Sequence, residues 1–330
     1  MESRRYSIAP NPMSRLATST IPKRAQSRAQ CSEKPWRLRR AGKLTVVECA
    51  ALDFPWLIHG FSTRPGGASR LARRHGGRHT AETVLNLGFT DWDSRENVLE
   101  NRRRWMKALG AGNCDLIALK QFHSDAIRTV NSPGASSNPA PLQGDALISR
   151  ASRRLLSVQT ADCIPILLAD PERRAVAAVH AGWLGTVKRI AAKTVGRMQM
   201  EFGVRSENLF AALGPGIGAC CYEVGPDVVK EFASQFADAK DWFDDVFERI
   251  SSDDDPNPLP WLSMMPPGHE RPLRTHLDLH AANRAILLAA GLRPENIFSC
   301  PFCVSCRPEL FFSYRRERPT GRLMASIALH

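Results

Sequence analysis

Short apolar segments alternate with longer segments of helical periodicity from residue 92 onward. Four short segments have the composition and length of strands, at 115–119, 126–130, 146–149 and 155–158. Four longer segments space apolar residues three and four apart and carry helix-cap residues, which predicts helices over 94–109, 187–202, 226–236 and 279–290. This alternation indicates an α/β architecture within one domain.

The positive charge of the chain is concentrated at its N-terminus. Of a net charge of +12 over 330 residues, 1–43 contributes most, with eleven Lys or Arg against two acidic residues. This distribution predicts a disordered basic tail over 1–43, ahead of a single domain over 44–330. The alternatives are a start codon placed upstream of the real domain, an organelle transit peptide, and a tail that binds nucleic acid non-specifically.

The composition and the cysteines indicate a globular protein of a reducing compartment. An apolar content of 43% excludes overall disorder and a collagen-like chain. No apolar stretch approaches the ~18 residues of a membrane span, so no membrane partner is expected. Nine cysteines without an export signal favour free thiols. We therefore expect a cytoplasmic protein, and a monomer.

One long segment lacks a regular pattern. Residues 238–275 contain three consecutive aspartates and several prolines. This composition predicts a surface insertion or a lid with little regular structure of its own.

Three side chains suited to metal binding or catalysis follow predicted strands. His123 follows a strand-like segment at 116–120, Cys163 follows 155–158, and His180 follows 175–179. Ligands of α/β sheets bind beyond the strand ends, so these side chains are candidates to converge. A cysteine and two histidines with an open fourth position suit catalytic zinc. The same trio suits a thiolate nucleophile activated by an imidazole, and buried structural residues are the third interpretation.

Glycines follow His180 directly. The segment 180–185 (HAGWLG) leads into the strongest predicted helix, which places amide donors and a positive helix end beside the histidine. An anion would bind favourably there. The second glycine cluster, 213–218 (LGPGIG), lacks the Lys-Ser/Thr ending of a nucleotide P-loop and is weak evidence for a site.

The order of these phrases resembles the YfiH-like family, also called the laccase-domain or polyphenol oxidase family. The resemblance covers about residues 46–330. The matching phrases are 59–67 (HGFSTRPGG), 121–124 (QFHS), 144–146 (GDA), 160–165 (TADCIP), 179–183 (VHAGW), 213–217 (LGPGI), 221–225 (CYEVG), 277–279 (LDL), 311–316 (FFSYRR) and 320–322 (TGR).

The resemblance implies a fold, a metal site and an activity. The fold is a mixed-sheet α/β structure (with α+β character) similar to some cysteine hydrolases. His123, Cys163 and His180 map onto the family's zinc-binding and catalytic trio, and copper is the less favoured metal. The implied reactions are phosphorolysis of adenosine, inosine and methylthioadenosine to the free base and a pentose 1-phosphate, and deamination of adenosine. The expected partners are thus a purine nucleoside and phosphate.

Other residues in the matching phrases have chemistry that these reactions need. Asp162, Asp145 and Glu223 are candidates for proton transfer. Cationic candidates for phosphate binding are Arg64 and the Arg315–Arg316 pair, because guanidinium binds phosphate bidentately. Tyr222 is a candidate for stacking on the base, and Glu223 beside it is a second candidate for substrate binding. Leu184 stands where the family usually has arginine, which changes either a substrate contact or a surface ion pair.

Two rival activities follow from the same resemblance. One is an editing hydrolase that removes wrong residues from peptidoglycan precursors, with Cys163 as nucleophile. The other is a copper polyphenol oxidase, which is disfavoured because such oxidation needs several histidine-rich copper sites.

A separate cysteine motif lies near the C-terminus. Cys300, Cys303 and Cys306 have CxxCxxC spacing, but position 310 is leucine where a ferredoxin-type run has a fourth cysteine. Reduced, partly buried thiols are therefore favoured over a metal site.

Overall fold

A computed structural model describes residues 35–75, 78–130, 142–247 and 273–330. It contains sixteen strands and five α-helices within these ranges. The strands are β1 (Trp36–Ala41), β2 (Leu44–Cys49), β3 (Leu57–Ser62), β4 (Pro65–His75), β5 (Arg78–Val84), β6 (Asp115–Ala118), β7 (Ile127–Thr129), β8 (Ala146–Ser149), β9 (Arg154–Thr160), β10 (Ile164–Asp170), β11 (Ala175–Ala181), β12 (Phe210–Leu213), β13 (Phe243–Phe247), β14 (Leu273–Leu277), β15 (Ile297–Ser299) and β16 (Leu323–Leu329). The helices are α1 (Arg95–Leu109), α2 (Trp183–Val187), α3 (Ile190–Phe202), α4 (Pro226–Gln235) and α5 (Leu279–Ala289).

Two six-stranded mixed sheets form the centre of the domain. The first sheet has the order β1-β2-β3-β16-β9-β6, and the second has the order β15-β12-β10-β11-β8-β7. Parallel pairs occur at β6/β9, β7/β8 and β12/β15, and the other pairs within these sheets are antiparallel. Two-stranded ribbons, β4/β5 and β13/β14, complete the sheet structure. The predicted mixed-sheet α/β fold class is confirmed.

Strand periodicity divides the core into layers. All of β10 is buried, and alternate residues face opposite sides of the sheet. Ile164, Ile166 and Leu168 pack beneath α3 and α5. Leu167 and Ala169 pack against the first sheet, together with Val158 of that sheet and its neighbours. The second sheet therefore lies between helices on one side and the first sheet on the other.

The outer face of the first sheet is covered by α1. Ser94 caps this helix by accepting a hydrogen bond from the Asn97 N–H, and Gly110 ends it with a left-handed φ of 74°. Trp105 packs in a cluster with Val46 and donates its indole N–H to Ser326 Oγ at 2.9 Å. The caps expected for this helix are confirmed.

The prediction of one continuous helix over 187–202 is wrong. The structure has two helices there, because Arg189 has a left-handed backbone with φ 59° and interrupts the hydrogen-bond pattern. The Arg189 side chain donates to the Gln235 carbonyl at 2.6 Å and lies 4.6 Å from the Phe236 ring centroid. These tertiary contacts hold a conformation that local periodicity does not reveal.

Two predicted boundaries also need correction. β1 lies inside the predicted tail of 1–43 and pairs along its whole length with β2, so the folded region begins before residue 44. The ends of the predicted irregular segment 238–275 are regular, because β13 and β14 pair as an antiparallel ribbon. Residues 1–34 and 248–272, on which the tail and lid predictions mainly fall, lie outside the described residues. Among the helices described, none is long and apolar enough to cross a membrane.

Candidate active site

The candidate trio lies where the chain passes from one sheet to the other. His123 lies between β6 of the first sheet and β7 of the second, and Cys163 lies between β9 and β10. His180 is inside β11, opposite Pro165 in the antiparallel ladder with β10. The structure thus brings the three residues together. The prediction that each residue follows its strand is wrong for His180, which lies inside β11.

The ligand atoms of the trio are close enough to hold one metal ion. The Sγ of Cys163 and one ring nitrogen of each histidine all lie within 4.8 Å of one another. Cys163 Sγ is 3.8 Å from His123 Nε2. The histidine rings meet edge to face, with centroids 5.0 Å apart. His123 is exposed and His180 is buried, so the cluster opens on one side.

Asp145 organises the trio from beneath. Its fully buried carboxylate accepts backbone N–H groups from Phe122, His123 and Ser124, and also the Ser124 hydroxyl at 2.6 Å. It lies 2.9 Å from His180 Nδ1, which donates to it. Burial alone would raise the pKa of Asp145, but hydrogen bonds from His180 and Ser124 outweigh burial and hold that pKa well below its ordinary value. Asp145 is therefore a fixed anion that positions both histidines.

Without a metal, the site contains a thiolate beside an imidazolium. Burial opposes ionisation of Cys163, but the charge of His180 and hydrogen bonds from both histidines lower the pKa of the thiol to about 6. Burial likewise opposes charge on His180, but the Cys163 thiolate and Asp145 raise its pKa to about 9. Each charge stabilises the other.

The backbone around the trio is tightly constrained. Gly182 approaches so closely that an added Cβ would lie 2.8 Å from Cys163 Sγ and 3.0 Å from His123 Cδ2. His123 and Asp162 have left-handed backbones, with φ of 60° and 95°. Such conformations are uncommon for residues with side chains and concentrate at functional sites.

A cleft of about 930 Å³ opens onto the trio. Its lining combines cationic and aromatic side chains. The cations are Arg102, Lys120, Arg315, Arg318 and Arg322, and the aromatic residues are Phe89, Trp183, Tyr222 and Tyr314. The cleft therefore offers flat apolar surfaces together with positive charge.

Asp162 is the acidic residue among the described residues that line the cleft. Its carboxylate accepts the Ser313 hydroxyl at 2.6 Å and the Arg315 backbone N–H at 2.7 Å. Burial raises the pKa of Asp162 above its ordinary value despite these hydrogen bonds. Asp162 thus holds the segment that carries Arg315, whose guanidinium lies 5.5 Å from the Tyr222 ring centroid. Two of the predicted substrate-binding residues meet here.

Two predicted substrate contacts lie elsewhere. Arg64 is fully buried, pairs with Glu82 at 3.0 Å and with Glu317, and stacks 4.9 Å from the Phe312 ring centroid. It does not line the cleft because its guanidinium is occupied inside the domain. Glu223 pairs with Arg274 at 2.9 Å and is also absent from the described cleft lining.

Other cleft residues were missed by sequence reasoning. Arg102 and Lys120 lie outside the matching phrases, and Arg322 closes a phrase without a predicted role. Only the packing of α1 and the C-terminal segment against the strand ends brings them together. Leu184, at the position of the family's usual arginine, is half-buried and not among the described cleft-lining residues.

The residues of the trio fit a metal ion. Asp145 binds His180 through Nδ1, which leaves Nε2 directed at Cys163 and His123 as a ligand atom. A carboxylate behind a histidine ligand is a recurrent feature of metal sites. One sulfur and two imidazole ligands, with an open side toward the cleft, match the donor set of a catalytic zinc site.

Comparisons with known proteins agree with this architecture. Residues 58–330 match the family model described as multi-copper polyphenol oxidoreductase laccase. The chain is 38% identical to a purine nucleoside phosphorylase of Deinococcus radiodurans over 82% of this chain and 88% of the relative. It is 33% identical to a protein named adenosine deaminase RL5, from an unknown prokaryotic organism, over 82% of this chain and 94% of the relative. The crystal structure of YlmD from Geobacillus stearothermophilus superposes with a TM-score of 0.70 at 30% identity, covering 90% of this chain and 100% of that one.

The fold and the site define a two-sheet α/β protein with a metal-competent Cys–His₂ centre in a basic, aromatic cleft. The chain belongs to the laccase-like YfiH family that the matching model describes. Its relatives in this comparison carry the names of enzymes that act on purine nucleosides.

The metal-free protein offers a direct test of the thiolate. We expect iodoacetamide to alkylate Cys163 at a rate that rises with pH around a midpoint near 6, because the thiolate is the nucleophile. Cys114 provides an internal comparison, since burial raises the pKa of its thiol. Peptide mass spectrometry at several pH values measures both rates. A Cys163 midpoint at the ordinary thiol value of ~8.5 would contradict the ion pair.

Proposed function

We propose that this protein is a zinc-dependent purine nucleoside phosphorylase that also deaminates adenosine. The observation that carries the proposal is the junction of a Cys–His₂ cluster with a cleft that presents both aromatic and cationic groups. A purine nucleoside requires the flat apolar surface, and phosphate requires the positive charge. The names of the relatives support both reactions.

Tyr222 and Arg315 are the proposed substrate contacts in the cleft. Tyr222 lines the cleft, where burial together with the charges of Cys163 and Asp162 raises the pKa of its hydroxyl. Its ring is available to pack against a purine. Arg315 is held over that ring by the Asp162 contact to its backbone. The guanidinium supplies paired donors for phosphate oxygens.

In phosphorolysis, the bond between the sugar C1′ and the base nitrogen breaks as a phosphate oxygen bonds to C1′. Positive charge develops on the sugar, and the departing base takes up a proton. We assign phosphate orientation to Arg315 and proton donation to Asp162, whose raised pKa favours the protonated carboxyl. Zinc, when bound by the trio, supplies Lewis-acid chemistry and makes water more acidic.

In deamination, a water oxygen bonds to the purine carbon that carries the amino group, and the nitrogen leaves as ammonia. Asp162 is the proposed group for moving the protons, because Asp145 is enclosed by its five donors and Glu223 is paired outside the cleft. His123 and His180 keep their roles as ligands, with His180 oriented by Asp145.

Product analysis tests the proposal. The full chain, supplied with zinc, is incubated with adenosine with and without phosphate, and the products are separated by chromatography. We expect adenine only with phosphate, and inosine without it. Cys163→Ala should form neither product, whereas the matched Cys114→Ala, outside the cleft lining, should form both.

Absence of turnover by zinc-loaded protein would overturn the nucleoside proposal. The nucleophilic thiol would then favour the peptidoglycan-editing hydrolase, which predicts wrong residues in the wall peptides of a deletion strain. Bound copper together with oxidation of phenols would favour the polyphenol oxidase instead.

Loss of the Arg315 guanidinium should weaken phosphate binding specifically. We expect Arg315→Ala to raise KM for phosphate about tenfold, because one charge-assisted hydrogen bond contributes roughly 1.5 kcal/mol. The neighbouring Arg316, also a predicted phosphate contact, is not among the described cleft-lining residues and donates to the Ser305 carbonyl at 3.3 Å, so Arg316→Ala is the control variant. Steady-state kinetics at varied phosphate measures the change. Equal KM values for the two variants would show that Arg315 does not bind phosphate.

A further inference from the structure

Four cysteines outside the cleft lining form a second cluster. The four-cysteine cluster consists of Cys220, Cys221, Cys303 and Cys306, whose sulfur atoms all lie within 4.8 Å of one another. The Cys306 sulfur is 3.5 Å from that of Cys220 and 3.4 Å from that of Cys221. Only two cysteines of the CxxCxxC motif, Cys303 and Cys306, belong to the cluster. Cys300 is buried in the core between the sheets.

The sheet topology creates this meeting of distant segments. β12 and β15 are parallel neighbours, with Leu213 opposite Ser299, so the loops that follow them start side by side. The loops stay together, because Gly216 and Cys303 form a parallel bridge and the Val304 N–H donates to the Gly216 carbonyl at 3.0 Å. Two of the four candidate ligands, Cys220 and Cys221, thus come from positions 86 and 85 residues before Cys306.

The sulfur spacing suits a shared ion better than a disulfide. A tetrahedral zinc site with Zn–S bonds of ~2.3 Å requires sulfurs ~3.8 Å apart. Two of the sulfur–sulfur distances are 3.4 and 3.5 Å, slightly below this value, and all of them lie within 4.8 Å. Disulfide-bonded sulfurs are ~2.05 Å apart, so no pair is placed as a bond.

Backbone donors surround one sulfur as they do in thiolate metal sites. The Gly218 N–H donates to Cys303 Sγ at 3.2 Å, and the backbone of Ser305 and Cys306 also hydrogen-bonds to Cys303. Such donors orient a ligand and offset the negative charge that four thiolates bring to one ion. The Gly218 N–H, at hydrogen-bond distance from Cys303 Sγ, favours the thiolate form of this one ligand.

We propose that the four-cysteine cluster binds one zinc ion as a structural site, separate from the cleft. Four thiolates complete the tetrahedron and leave no position for substrate, and each thiol releases its proton on binding. The ion would join two segments that lead to the cleft, because Cys221 precedes Tyr222 and the Cys306 segment continues to Ser313 and Arg315. The proposal does not rest on the proposed nucleoside activity.

Zinc content per chain tests the site. The full chain is loaded with zinc, dialysed against a weak competing chelator and measured by plasma mass spectrometry. We expect Cys220→Ala/Cys306→Ala to hold one zinc fewer per chain than the wild type. Both side chains are exposed, so the fold should tolerate alanine. The control Cys114→Ala, outside both clusters, should keep the wild-type content.

X-ray absorption on Cys163→Ala gives a second measurement with the cluster cysteines intact. The zinc retained by this variant should have four sulfur neighbours at ~2.3 Å. Wild-type zinc content in the double variant, fewer than four sulfurs around the retained zinc, or a disulfide in the purified chain would each overturn the site. If Cys163→Ala retained no zinc at all, the four-cysteine site would also be wrong. The proposal of a metal ion at the trio would still stand.

Discussion

Alanine at position 182 is expected to lower zinc affinity and nucleoside turnover by roughly 100-fold. The added Cβ would lie 2.8 Å from Cys163 Sγ, well inside van der Waals contact, so the ligand must move. Displacing a catalytic group by ~1 Å costs on the order of 100-fold in rate. The backbone itself accepts alanine, because Gly182 has φ −76° and ψ 174°. A loss of zinc affinity in Gly182→Ala would therefore come from the contact of the added Cβ with the trio, not from backbone strain. Zinc titration and product formation measure it.

Gly196→Ala is the matched control. Gly196 lies within α3, and an added Cβ would have no atom within 4 Å. Alanine there should raise the stability of the helix by about 0.5–1 kcal/mol and leave zinc affinity unchanged. If Gly182→Ala also bound zinc with wild-type affinity, the proposed contact of Gly182 with the metal ligands would be wrong.

Local signals in the sequence predicted much of the fold. Ser94 and Asp278 each cap a helix as expected, and each side chain accepts a backbone N–H three residues on. These features depend on neighbours within one turn, which the sequence displays directly. The break at Arg189 depends instead on Gln235 and Phe236, so helical periodicity alone runs through it.

The difference between local signals and contacts of distant residues also applies to the site. The trio was selected because chemically suited residues follow strands, and the structure brings them together by a crossing between two sheets. Arg64 shows the limit of residue type as a guide. Its guanidinium chemistry suits phosphate, but Glu317, 253 residues away, pairs with it inside the domain. Cys220 and Cys306 show the converse, since β12–β15 pairing brings together thiols that sequence spacing separates.

Asparagine at position 145 is expected to lower zinc affinity 10–100-fold, the usual range for loss of a carboxylate behind a histidine ligand. Asp145 accepts the His180 Nδ1–H and thereby directs Nε2 toward the metal position. Asparagine has one acceptor oxygen in place of two, so it can accept fewer of the five hydrogen bonds. Its NH₂ group would face backbone N–H groups, and two donors cannot bond to each other. The charge that holds His180 in this orientation is lost as well. Zinc titration with a competing chelator measures the affinity.

The control variant must distinguish loss of His180 orientation from the loss of stability that follows any change at a buried aspartate. Asp170 is also fully buried and accepts the Glu172 and Arg173 N–H groups, but it ends β10, whereas Cys163 immediately precedes the start of that strand. Asp170→Asn should lower the melting temperature and leave zinc affinity unchanged. Asp145→Asn should lower both. If the two variants lost stability equally and both kept wild-type zinc affinity, Asp145 would only support the fold, and the orientation of His180 would have to come from the strand ladder alone.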